Sequence, residues 1–119
     1  MHFRHLAVLS ALICFALAFV FLFVPELMLS LWAVAFSGSV GLVCRRSAAL
    51  FAGIGIVLFK LRHVAPSPAR AAVATGATVA CLMLALLGMV ELFIGHAGPG
   101  ILLAVAVEIA LALAFRLAS

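Results

Sequence analysis

Long apolar runs broken by short polar stretches organise this chain almost from end to end. No charged residue occurs between Leu6 and Val24, and Pro25 closes that run. A bilayer core about 30 Å thick takes about 20 helical residues to cross, so 6–24 predicts a first spanning helix. Residues 71–90 are again free of charge and continue past Glu91, while 101–115 are interrupted only by Glu108. These predict the third and fourth spans, at about 68–94 and 99–117. The breaks before them suit helix starts. Ser67 can cap a helix that has Pro68 in its first position, and Pro99 sits the same way in Gly98-Pro99-Gly100.

The first run is longer than the apolar core of a secretory leader, and no small-x-small cleavage site follows Phe23-Val24-Pro25. The large Ile13 before Cys14 also fits poorly with a lipidated cysteine. The run is therefore read as a retained span.

Residues 26–63 admit two readings. In one, 27–44 cross the membrane and 48–59 form a re-entrant or interfacial piece too short to span. In the other, 26–36 lie in the outer interface with Trp32 at headgroup depth, Ser37-Gly38-Ser39 make a turn, and the second span covers about 43–62. The second is preferred. Ser30, Ser37, Gly38, Ser39 and Gly41 make 27–44 a poor lipid-facing helix, whereas Ala48, Ala49, Ala52, Gly53 and Gly55 offer the small-residue face of a packed one. The expected fold is all-α: a single membrane domain, a four-transmembrane-helix bundle with an interfacial segment after the first helix.

Composition narrows the class further. Of the 119 residues 70% are hydrophobic and 8% charged, with a mean hydropathy of +1.51. A water-soluble domain this small could not hide so much apolar surface. The net charge of +4 comes from seven basic residues beside or between apolar runs, where membrane orientation accounts for them without a nucleic-acid partner. Arg4, Lys60, Arg62, Arg70 and Arg116 fall on one side and Arg45 and Arg46 on the other. That bias predicts a multi-pass protein of the bacterial inner (plasma) membrane with both termini cytoplasmic. Cys14, Cys44 and Cys81 show no CxxC spacing and read as small buried hydrophobes.

The stretch Arg45-Arg46-Ser47-Ala48-Ala49-Leu50-Phe51-Ala52-Gly53-Ile54-Gly55, the loop Pro66-Ser67-Pro68-Ala69-Arg70 and the run Ile101 to Glu108 together resemble a family of small, functionally uncharacterised bacterial inner-membrane proteins with four predicted helices. The break Pro25-Glu26-Leu27 fits it as well. The resemblance implies a four-helix membrane bundle with the second topology, and no cofactor, substrate or activity.

Glu108 carries the strongest chemical signal. It sits near the middle of its apolar run, where insertion scales charge roughly 2.5–3.5 kcal/mol for a carboxylate such as Asp. It should face the interior, either paired or protonated. Arg45 and Arg46, opening the second span, are the expected partners, and Glu91 near the outer end of the third would complete a polar cluster. Such a cluster either binds a small ligand or relays a proton, or else is an ion pair that fixes helix register. Phe15, Phe19 and Phe23 form one stripe of the first helix suited to packing or lipid. Thr75, Gly76 and Gly88 offer close-approach points on the third.

His2, His5 and His63 gather on the cytoplasmic side, more as a solvated cluster than as metal ligands. No serine elbow, phosphate loop or zinc motif is present. The sequence therefore points to a non-enzymatic membrane protein without cofactor or metal, an accessory, assembly or structural component. Its partners would be the bilayer and either a second copy or a larger membrane complex. A carrier or receptor built on Glu108 with Arg45 or Arg46 is the alternative.

Overall fold

The computed structural model describes residues 2–118, and within them every regular element is helical. The elements are α1 (Phe3–Phe23), α2 (Pro25–Leu31), α3 (Gly38–Lys60) continued by a 3₁₀ turn (Leu61–His63), α4 (Pro68–Phe93) and α5 (Ile101–Ala118). Four of these helices are long and apolar enough to cross a membrane, and α3 counts there together with its 3₁₀ turn. At 1.5 Å per residue the 21 residues of α1 extend about 31 Å and the 18 of α5 about 27 Å.

Each boundary has a local cause. Pro25 lacks an N–H and disfavours the helical conformation at the residue before it. Val24 accordingly leaves the helix at φ −137°, and Pro25 becomes the first residue of α2. α2 lasts seven residues before Ala33 turns the chain at φ 56°. Ser37 then caps α3, its hydroxyl accepting from the Val40 N–H at 3.2 Å. Because this cap lies upstream of Arg45, α3 starts earlier than the expected 43–62. Arg45 and Arg46 thus sit two turns inside the helix instead of opening it. The alternative crossing over 27–44 is interrupted by the non-helical stretch 34–37.

Ser67 caps α4 as its sequence predicts, accepting from the Arg70 N–H at 3.2 Å. The other end of α4 closes on Gly95, at φ +83°, with His96 N–H bonded to the Glu91 carbonyl at 2.9 Å and Gly95 N–H to that of Leu92 at 3.3 Å. A left-handed residue after the last turn with this pair of bonds is a Schellman cap, and glycine adopts it without a Cβ penalty.

The helices pair as two antiparallel hairpins, α1 with α3 and α4 with α5, and α1 also touches α5. Small residues set the close approaches. A Cβ on Gly55 would lie 2.8 Å from the Phe15 ring, and one on Gly88 the same distance from Val105 Cγ2. Ala48 and Gly55 of the predicted small-residue face are buried, whereas Ala49 and Gly53 are exposed. Gly76 has open space beside it, so that close-approach point is not used within the chain. All three phenylalanines of the aromatic stripe are exposed, Phe15 least, and Phe15 is the one whose ring meets Gly55.

One apolar cluster joins the two hairpins, and a second lies within the first hairpin and α2. Phe3, Leu6, Ala7, Ala11, Leu58, Ala74 and Phe115 pack at the end that carries both termini. Phe21, Leu29, Cys44 and Ala48 pack at the opposite end, seating α2. There the Gly98 N–H also donates to the Trp32 carbonyl at 2.7 Å, so the loop before α5 is tied to the end of α2.

Candidate polar site within the spans

The placement of α1 against α5 determines which polar groups meet. The Phe3 and Phe115 rings pack edge to face with centroids 6.4 Å apart, where α1 begins and α5 ends. Ser10 lies seven residues on from Phe3, and Glu108 seven residues back from Phe115. Seven residues make about two helical turns and advance about 10 Å. By that spacing Ser10 and Glu108 fall on the same helix faces as the two rings, about two turns from them along α1 and α5.

Both carry an orphaned polar atom. Ser10 is 3% exposed and its Oγ has no hydrogen-bond partner, and Glu108 Oε2 is buried and equally unpartnered. A helical serine commonly returns its hydroxyl to the carbonyl four residues earlier; Thr78 does so here, to the Ala74 carbonyl at 2.8 Å, but Ser10 does not. A buried polar atom left without a partner costs about 1–3 kcal/mol.

The expected pairing of Glu108 with Arg45 or Arg46 is not formed. Neither arginine comes within ion-pair distance of Glu108, and both are exposed on α3, while His96 pairs with Glu91. The reason is helix order: α1 is the helix that touches both α3 and α5, and those two do not pack along each other. Arg45 instead folds back one turn, its Nη1 3.4 Å from where a Cβ on Gly41 would stand. That is the posture of a long cationic side chain reaching from the bilayer toward its edge. Glu91 joins no cluster either. Its Oε2 lies 2.7 Å from His96 Nδ1, in the loop that follows α4.

Comparison with known protein families, curated proteins and solved structures finds no match to this chain. Among the described residues no three His, Cys, Asp or Glu side chains are arranged to hold a metal ion. A buried carboxyl oxygen and a buried hydroxyl, each without a partner, can hold a small polar ligand or receive a polar side chain from a neighbouring subunit.

Sequence reasoning singled out Glu108 but passed over Ser10. The signal available was the seven-residue spacing from Phe3, which returns Ser10 to the same face as that aromatic ring. What the sequence lacked was the pairing of α1 with α5.

Proposed function

We propose that this chain is a multi-pass protein of the bacterial inner membrane, with both termini cytoplasmic and its four spans packed as a bundle. In this reading it acts as an accessory or assembly component and not as an enzyme, and it belongs with the small inner-membrane proteins it resembles. One observation carries the reading. Almost all of the chain is spanning helix, and its spans turn large apolar side chains such as Leu12, Leu50, Leu86 and Leu113 outward. What the protein offers to others is therefore helix surface at membrane depth. Lipid tails give helices no hydrophobic reason to associate, so recognition falls to close packing and polar contacts. A second copy or a larger membrane complex is the partner this implies.

The distribution of charge supports the orientation. Arg4, Lys60, Arg62, Arg70 and Arg116 lie at the end with the termini, against Arg45 and Arg46 in the half toward the other end. Single cysteines placed at positions 96 and 62 of a cysteine-free chain should react with an impermeant maleimide from opposite sides of the membrane. Extraction into native lipid discs should recover the chain with a second copy or with another membrane protein in fixed ratio. Recovery as a monomer that alone turns over a substrate, with that turnover lost in Glu108→Ala, overturns the accessory role.

A second reading, a proton or small-molecule carrier, draws on the unpartnered Glu108 and Ser10 atoms. It requires that Glu108→Gln abolish proton-coupled flux in proteoliposomes while insertion is unchanged.

A further inference from the structure

The end of the molecule that carries both termini contains a cavity of about 440 Å³ between the first turn of α1, the 3₁₀ turn and the start of α4. Six of its lining residues are basic: His2, Arg4, His5, Arg62, His63 and Arg70. The chain has three acidic side chains, and none of them lines it. Glu91 lies at the opposite end of α4, Glu26 in α2 and Glu108 within α5. The cavity thus concentrates positive charge with no acidic side chain in its wall.

Two of the guanidinium groups are held in place. The Arg62 guanidinium lies 3.8 Å over the Phe59 ring and its Nη1 donates to the Phe59 carbonyl at 2.7 Å. That of Arg70 lies 4.0 Å over the Phe3 ring, with Nη1 donating to the Val64 carbonyl at 3.2 Å. A guanidinium has five N–H donors in a planar fork. Each therefore keeps most of its donors for a ligand, on a group whose orientation is already fixed by stacking. Membrane orientation needs basic residues on one side, but it does not need them to converge on a cavity or to be stacked there.

We propose that this cavity binds a phosphate-bearing anion, the chemistry shared by a phospholipid headgroup and free phosphate. Paired N–H donors of arginine match two oxygens of one phosphate. Basic pockets between spans on the cytoplasmic side are suited to anionic headgroups, and the volume lies within the usual range for a small-ligand site, about 300–1,000 Å³.

The test uses the full chain in neutral detergent micelles, with phosphatidylglycerol, phosphatidylcholine and inorganic phosphate as separate probes. Saturable binding of phosphatidylglycerol, or of phosphate, is expected, with none for the zwitterionic lipid. The paired substitution Arg62→Gln with Arg70→Gln should weaken that binding at least 10-fold, on the order expected for losing two charge-assisted contacts. Arg45→Gln with Arg46→Gln removes the same charge elsewhere and should change it less than about 2-fold, because exposed charges beyond a Debye length are screened. Inorganic phosphate displacing the lipid identifies free phosphate as an occupant; lipid binding that phosphate leaves untouched identifies the headgroup. If the Arg62 and Arg70 variant loses its helical circular dichroism, Arg4→Gln with His63→Gln, both exposed on the rim, replaces it and should weaken binding at least 3-fold by the loss of one guanidinium and one imidazole donor. Equal weakening by the Arg45 and Arg46 pair, or no saturable binding of either anion, overturns the proposal.

Discussion

Gly88→Ala tests the packing of α4 on α5 most directly. Two opposed effects act at this position. Alanine is the better helix residue by about 0.5–1 kcal/mol. The added methyl, however, would stand 2.8 Å from Val105 Cγ2, closer than non-bonded carbons approach, and Val105 is 5% exposed with a stiff β-branched side chain. Overpacking of this kind costs about 1–3 kcal/mol, so overpacking wins and Gly88→Ala should destabilise by about 1 kcal/mol net. Val105→Ala alone removes the two methyls and leaves a small void, again about 1 kcal/mol, at the low end for such a truncation because the membrane adds little transfer energy. Together the changes fit, since the new methyl occupies space the valine has vacated. The double variant should therefore be more stable than the sum of the single effects predicts, by about 1 kcal/mol or more. Reversible unfolding in mixed micelles of increasing dodecyl sulfate fraction, followed by circular dichroism, measures all four proteins. Additivity within about 0.5 kcal/mol would refute the contact.

Three further outcomes follow from the geometry. Ser67→Ala removes the hydroxyl that accepts from the Arg70 N–H and should cost about 1 kcal/mol in the same unfolding assay; an unchanged midpoint counts against the cap. Gly100→Ala would drive a Cβ into the Leu31 carbonyl, so α2 should lift from the loop and the emission of Trp32, the single tryptophan of the chain, should shift; an unaltered spectrum means that the loop tolerates the methyl. Glu108→Leu should be neutral or stabilising by about 1 kcal/mol, because it removes an unpartnered buried oxygen; clear destabilisation would reveal a partner for the carboxyl.

The spans themselves were legible because the bilayer imposes a length, and because Pro25, Ser67-Pro68 and Gly98-Pro99-Gly100 punctuate the runs with residues that start or stop helices. The start of α3 was less so. Gly38 and Gly41 weaken any helical expectation, yet one hydroxyl, that of Ser37, is enough to begin the helix upstream of the arginines. Depth alone suggested that Arg45 or Arg46 would neutralise Glu108, but depth says nothing about which helices are neighbours. Helix order, with α1 touching both α3 and α5, keeps the charges apart and leaves a carboxyl oxygen of Glu108 buried without a partner. The same limitation hid the basic cavity. Arg62 and Arg70 could be counted toward orientation from sequence, while their convergence depends on how the 3₁₀ turn meets the first turns of α1 and α4.

The hydrogen bond from the Gly98 N–H to the Trp32 carbonyl joins residues far apart in the chain. During synthesis α2 emerges and reaches the membrane surface long before its fastening point exists. At about 5–20 residues per second, ribosomes need several seconds to cover that interval. Through that delay the segment after the first span is held only by its own apolar contacts with α1 and with α3 as it enters. An insertion machinery or chaperone therefore has a window in which Trp32 and its neighbours are accessible, and the window shuts when the final hairpin turns over.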